Sequence, residues 1–461
     1  MAYTIDNAPL TWRHYLITGV ASLGQFIGTG LATLVSVIIP LYQLISHPEL
    51  SSVMQGVVGS MDLIGIMVGS TVLGKLSNHY GYAFFFRFCP ALVCAASVIT
   101  LLFPSLGVLI VCLFFMGFGI GGEYSLDSAY ISELMPTKWS FLMVGAAKSA
   151  SALGNIVVAG ICFIILRHWT NADLWPHLMW IMIVISGTMV VTRIKFWNSP
   201  KWLVEHGRYK EAEQDVHHFL GEDVNVPIPS FPQNPTDTKS TPVAGKKESI
   251  FHFVNRNWEK VIFTGVPWAC EGLGVYGIGI FLPILVMALG LEPVTPGESA
   301  LGHVSSSVEI TLWISCIILP GFILGLLLIN RMDGAKIQWI GFFLSALSLL
   351  ILSIAYHNHW AKWISIGAFM AFELFLNMGP HLMTFVLPPK VYPVADRSLG
   401  SGIAASLGKL GAVLGVFFIP VLLDAGGSEL VLIVSIIVMA VGGLVTFFFQ
   451  PERRKAVATK Q

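Results

Sequence analysis

The sequence predicts an all-α integral membrane protein with twelve transmembrane helices in two six-helix bundles. Composition, the spacing of apolar runs and the placement of basic residues carry that prediction. Of 461 residues, 55% are hydrophobic and 11% are charged, and the mean hydropathy is +0.74. Soluble chains carry roughly 25% charged residues. So few charges cannot cover a soluble fold of this length, so lipid must solvate most of the surface. The 26 basic and 26 acidic residues cancel, which leaves no basic field for nucleic acid. Cys89, Cys94, Cys112, Cys162, Cys270 and Cys316 are scattered through apolar runs without CxxC spacing. They are therefore read as packing residues, and neither a metal nor a cofactor is expected.

A bilayer core about 30 Å thick takes roughly 20 apolar residues per helix. Twelve such stretches lie near 16–45, 52–76, 83–104, 106–133, 138–167, 174–194, 260–290, 307–330, 336–356, 361–387, 397–424 and 428–449. Several contain Gly and Pro, which membrane helices tolerate. The first run is too long for a cleavable signal peptide and lacks a small-residue cleavage site before a soluble region. With both termini cytoplasmic, 22 of the 26 Lys and Arg residues, from Arg13 to Lys460, fall in cytoplasmic segments. Arg167 and Lys362 fall outside, and Lys148 and Lys409 lie within spans. One misplaced span would invert every later loop and destroy this asymmetry. The expected location is the cell inner (cytoplasmic) membrane, multi-pass.

The chain divides once. Residues 1–194 form an N-terminal six-helix bundle, 195–259 a cytoplasmic linker with an amphipathic helix, 260–450 a C-terminal six-helix bundle, and 451–461 a cytoplasmic tail. The linker opens with NSPKWLVEHGRYKEAEQDVHHFL, where Trp202, Leu203, Ala212, Val216 and Phe219 are expected to face the membrane. PIPSFPQNPTDTKSTPVAGKK follows and reads as a flexible segment. Six spans, a linker and six spans suggest two similar bundles around a central path.

Several landmarks resemble a known family. The stretch FLNMGPHLMTFVLPPKVYP…RSLGSGIAASLGKLGAVLG (375–415) resembles the phosphate:proton symporters of the major facilitator superfamily. GIGGEYSLDSAYISELMP (119–136) is similar to their glycine-rich fourth helix, and NSPKWL and PERRK are similar to landmarks of the wider sugar-porter group. The resemblance implies the major facilitator fold and proton-coupled transport. Residues at matching positions are Glu123 and Tyr124 in helix 4, Trp268 and Tyr276 in helix 7, Asn377 in helix 10 and Lys409 in helix 11. The chain also departs from the pattern. Gln25 and Gly28 replace the two acids of helix 1, and His381 replaces the second Asn of the helix 10 motif. Asn78 and His79 replace the Asp-Arg pair between helices 2 and 3, and Asn330 replaces the Asp of the second-half copy. In WACEGLGVY, Glu271 stands one residue before the family's acid position, which Gly272 occupies. One position turns a side chain by about 100°.

Charged residues inside spans cost at least ~2.5–3.5 kcal/mol each on insertion scales, so each requires an explanation. Glu123 and Asp127 share a helical face. Glu123 is a substrate or proton site, or else pairs with Lys148. Asp127 and Lys148 are expected to pair with each other, with substrate contact as the alternative. Glu271 is the proposed proton carrier, since a carboxyl moving between wet and dry settings binds and releases a proton. Its alternative is an interhelical hydrogen bond. Lys409 is the cation for an anionic group on a solute, or else pairs with Glu373. His381 offers proton transfer near neutral pH, or satisfies a backbone carbonyl. Ser151, Trp268, Tyr124, Tyr276 and Asn377 complete the expected binding set. Asp62 is expected to face water on the outer half of helix 2, and Glu309 to be solvated.

No nucleophile–base spacing, phosphate loop or metal cluster appears, so the chain is not read as an enzyme. The sequence points to a monomeric secondary transporter that imports a small polar solute with protons. The mixed charges favour an anion or zwitterion such as an organic acid or amino acid. Inorganic phosphate is the alternative, followed by a drug exporter or a non-transporting sensor.

Overall fold

Ten helices of the computed structural model are long and apolar enough to cross a membrane by length and composition. Two local breaks turn these ten into twelve crossings. The run Gly400–Phe449 spans 50 residues and is interrupted at Gly426 and Gly427. The latter has φ 65° and ψ −168°, a conformation that favours glycine. Spans 11 and 12 meet at that turn. Span 10 is fragmented into Lys362–Met378, Pro380–Val386 and Pro388–Val391. Pro380 has no amide proton to donate to the preceding turn, and Gly379 takes φ −113° and ψ −86° there.

The structure describes residues 3–4, 7–46, 50–169, 171–194, 197–220, 224–225, 250–292, 299–329, 331–392 and 397–450. Asn330, most of the Pro- and Ser-rich linker and the tail 451–461 lie outside these residues, as do the side chains of Asn78, His79 and Phe219. Spans 1 to 5 are Trp12–Ile45, Ser52–Tyr80, Tyr82–Leu102, Leu106–Leu134 and Thr137–Leu166. Span 6 combines a tight turn, Ala172–Leu178, with the helix Met179–Thr192. Span 7 runs through Trp258–Gly272, a π-helical Leu273–Ile278 and Leu282–Ala288. Span 8 is Ala300–Ser315 followed by Ile318–Leu328, and span 9 is Gly334–His357.

Span 8 starts seven residues before the stretch expected from hydropathy. Ser299 caps it by accepting from the Gly302 amide. The serines that lower local hydropathy satisfy themselves within the helix, as Ser307 does by donating to the Val304 carbonyl at 2.8 Å. The only strand pairing among the described residues joins Tyr3–Thr4 to Val224–Asn225, which ties the N-terminal segment to the linker.

The linker helices Pro200–Glu205 and Tyr209–Leu220 correct one expectation. Trp202, Leu203, Ala212 and Val216 are buried against Tyr82, Phe86, Tyr130 and Leu134 of the N-terminal bundle. Their apolar face is covered by protein rather than lipid, because the ends of spans 3 and 4 present an aromatic surface that this face matches.

The bundles meet at the end opposite the linker. There Ser52 of span 2 donates to Asp424 of span 11 at 3.2 Å. Span 2 also packs so closely at Gly56 that a Cβ would strike the Phe417 backbone. Elsewhere the outward face is apolar, with Val111, Phe115, Ile164, Val184, Leu327 and Phe448 exposed, as a lipid-facing surface requires.

Candidate functional site

Between the bundles lies a cavity of about 1270 Å³. Gln25, Tyr124 and Lys148 line it from the N-terminal bundle, and Trp268, Glu271, Tyr276, His381 and Lys409 from the C-terminal bundle. It extends past Ser70 and Thr71 to Lys75 near the end of span 2, and to Gly402 near the start of span 11. Both of those positions lie at the linker end, so the cavity runs towards that end while spans 2 and 11 pack together at the opposite one.

Two lysines from opposite bundles converge on one ring. The Nζ atoms of Lys148 and Lys409 lie 5.6 and 5.2 Å from the centre of Tyr124. Lys148 donates to Gln25 Oε1 at 3.3 Å, and Lys409 donates to the Tyr276 hydroxyl at 3.3 Å while lying 4.7 Å from that ring's centre. Among the described residues neither lysine has a carboxylate within ion-pair distance. The expected Asp127–Lys148 pair does not form, nor does Lys409–Glu373. Asn377 instead donates to Glu373 Oε2 at 3.1 Å. Tyr124 reaches its place only because span 1 has Gly28 there, where a Cβ would collide with the phenol hydroxyl. One missing helix 1 acid has thus become room for an aromatic, and the other is Gln25, a neutral acceptor for Lys148.

Glu271 Oε1 lies 2.8 Å from His381 Nδ1, with 4% and 7% of the side chains exposed. The pair joins spans 7 and 10 where both are irregular. His381 follows the break at Gly379–Pro380, and Glu271 precedes the π-helical turn. That turn explains how one helix presents both Glu271 and Tyr276 to the cavity. Residues five apart are about 140° out of phase in an α-helix, but a helix bonded i to i+5 brings them towards one face. The ring of His381 also packs edge-on against Phe322 at 5.2 Å. Trp268 stands over Gly408 of span 11 and meets Phe385 at 6.3 Å.

The remaining candidates lie elsewhere. Glu123 is ion-paired with Arg193, and neither side chain is exposed. Arg193 caps the C-terminus of span 6, donates to the carbonyls of Val20 and Ala21 at 2.8 and 3.2 Å, and covers the Phe86 ring at 4.9 Å. Asp127, 1% exposed, is enclosed between Gln25 and the span 1 backbone at Gly24. Neither acid lines the cavity. Asp62 is fully buried rather than facing water, with its Oδ1 accepting from the Leu63 amide at 2.8 Å. Glu309 is half-buried. Ser151 and Asn377 line a second, smaller pocket of about 50 Å³, which shares His381 with the main cavity.

Sequence reasoning misses Gln25, Lys75 and Arg193, because Gln25 reads only as a departure from a motif and Lys75 and Arg193 read as cytoplasmic charges.

A family model described as sugar (and other) transporter matches residues 11–457. The inner membrane metabolite transport protein YgcS of Escherichia coli (strain K12) is 25% identical over 417 residues, covering 89% of this chain and 86% of that protein. Inorganic phosphate transporter 1-1 of Oryza sativa subsp. japonica is 24% identical over 462 residues, covering 90% and 85%. A partially occluded, inward-open structure of the xylose transporter XylE from Escherichia coli matches with a TM-score of 0.76 at 16% identity. That match covers 96% of this chain and 98% of the other, and it shows a shared fold. The chain is therefore a multi-pass membrane transporter, not an enzyme, and belongs to the sugar (and other) transporter family of the major facilitator superfamily.

Proposed function

We propose that the protein imports a small anionic or zwitterionic metabolite, such as an organic acid or amino acid, together with protons. It acts as a monomer in the inner membrane, with both termini cytoplasmic and access alternating between the two bundle ends. One observation carries this reading. Lys148 and Lys409 flank the Tyr124 ring from opposite bundles without a carboxylate partner among the described residues. Two such ammonium groups repel each other, and an anion between them relieves the repulsion and draws the bundles together. Tyr276, Trp268 and Gln25 supply the polar and aromatic contacts around it.

The Glu271–His381 pair supplies the coupling. A proton bound there removes the negative charge of Glu271 and leaves the lysines to the solute. Release of that proton towards the linker end restores the carboxylate, which competes for Lys409 and expels the anion. Inorganic phosphate is a second reading, supported by the similarity of residues 375–415 to phosphate symporters and by the rice relative.

The test is thermal stabilisation of the purified protein by inorganic phosphate, succinate, lactate and glutamate, followed by uptake into proteoliposomes with and without an inward proton gradient. A ligand at 100 times its Kd stabilises the fold by about 2.7 kcal/mol. Stabilisation by phosphate alone selects the second reading. Glu271→Gln is expected to abolish the response to the gradient while binding persists, and unchanged proton-driven uptake in that variant removes Glu271 from the role.

A further inference from the structure

The small pocket beyond His381 is more polar than packing requires. It lies between the bundles, walled by Thr33, Ser151 and Asn155 on one side and Ser315, Glu373 and Asn377 on the other. Most of its polar groups are internally satisfied. Thr33 donates to Asn155 Oδ1 at 3.0 Å, and Asn377 donates to the Glu373 carbonyl and to its Oε2 at 2.8 and 3.1 Å. The Ser315 hydroxyl, on a residue 1% exposed, has no hydrogen-bond partner although it lines the pocket. Buried hydroxyls without protein partners in polar pockets are the usual seats of internal water.

We propose that this pocket is a hydrated proton chamber, in which Glu373 accepts protons from the outer side and passes them through water to His381 and on to Glu271. The proposal rests on the proton-coupled reading above and extends it by an entry route. Glu373 and His381 are eight residues apart on span 10 with the Gly379–Pro380 break between them, and among the described residues no hydrogen bond joins them, so a proton passing between them needs a bridge. A pocket of about 50 Å³ holds roughly three to five waters at ~10–15 Å³ each, enough for a short hydrogen-bonded chain. His381 borders both spaces and touches Glu271 at 2.8 Å.

The pocket lies at the interface that parts when the outer end opens, so Glu373 meets external water in that state and is sealed from it in this one. The charged and titratable groups facing His381 are Glu271 from span 7, Lys148 from span 5 and Lys409 from span 11. Span 8 faces it with Phe322. Glu373 faces Asn377 on its own helix, Thr311 and Ser315 of span 8, Thr33 of span 1 and Asn155 of span 5. None of these four neighbouring groups titrates near neutral pH.

Infrared spectra of the protein in bilayers test the relay without any solute, because a protonated carboxyl band moves on exchange from H2O to D2O. The outer end is held shut by joining S52C and D424C with a short bismaleimide, so that D2O enters only from the main cavity. The Glu373 band is identified by its loss in E373Q. Its exchange is expected to slow by at least about tenfold, ~1.4 kcal/mol in barrier, in His381→Asn, a substitution that keeps a small polar group at the site. Exchange at the unmodified rate in that variant overturns the relay, as does a spectrum that E373Q leaves unchanged throughout the neutral range. A band that disappears on adding sodium at constant pH also overturns it, since the chamber would then hold a metal cation. If the relay holds while wild-type uptake ignores the proton gradient, the symport reading fails and the chamber stands.

Discussion

In the N-terminal bundle Glu123 is locked onto Arg193 with neither side chain exposed, whereas in the C-terminal bundle Glu271 is paired, among the described residues, with His381 and borders the cavity. The two carboxylates differ in the chemistry of their partners. A guanidinium holds its carboxylate through a charge-assisted hydrogen bond and has no proton to give up in the working range. An imidazole has two ring nitrogens that can bind and release a proton, and a carboxyl partner can take one. The backbones differ in the same direction. Spans 4 and 5 run unbroken, while spans 7 and 10 carry a π-helical turn and a Gly-Pro break beside the pair. On the proposed coupling, one half holds its charge still and the other moves it.

The largest test of that contrast is Arg193→Ala. Removing one partner of a buried ion pair costs about 3–5 kcal/mol, so thermal melting in detergent should drop sharply, and adding Glu123→Gln should restore part of the loss. Normal melting with lost uptake would instead make the N-terminal pair a functional one. Lys409→Ala should weaken binding of the stabilising anion by about 1.5–3 kcal/mol, roughly tenfold to 150-fold in Kd, with little change in unliganded melting. An equal loss of folded protein would mark Lys409 as structural. Gln25→Glu has the smallest expected effect. It places a carboxylate beside Lys148, and an ion pair worth about 1 kcal/mol should raise the Kd several-fold. Unchanged affinity would separate Lys148 from the solute.

Much of this arrangement was legible from sequence because it is local. Twelve apolar runs, the Gly-Pro interruption in span 10 and the glycine-rich EGLGVYGIG of span 7 each act through the backbone of a single helix. The start of span 8 was hidden by serines whose hydroxyls bond to their own helix, a satisfaction that hydropathy does not count. The pairing of charges was the least legible. Arg193 directly follows the last helical residue of span 6, and only the packing of span 6 against spans 1 and 3 carries it inward to Glu123. Asp127 and Lys148 looked like partners by chemistry, but Gln25 lies against both and separates them. That the lysines have no carboxylate partner among the described residues, on which the proposed function rests, is a property of that geometry.

The two cavity lysines, which have no carboxylate within ion-pair distance among the described residues, also have an electrical consequence. In a carrier that alternates access, a cavity bearing net positive charge does work against the transmembrane voltage whenever it crosses empty, at ~2.3 kcal/mol per full elementary charge for each 100 mV. With Glu271 protonated in the loaded state, a doubly charged anion cancels the two lysines and makes the loaded step indifferent to voltage, whereas a singly charged one leaves the same net charge on both steps. For a doubly charged solute the membrane potential would then act on the return of the empty protein, so that its influence appears in turnover rather than in affinity.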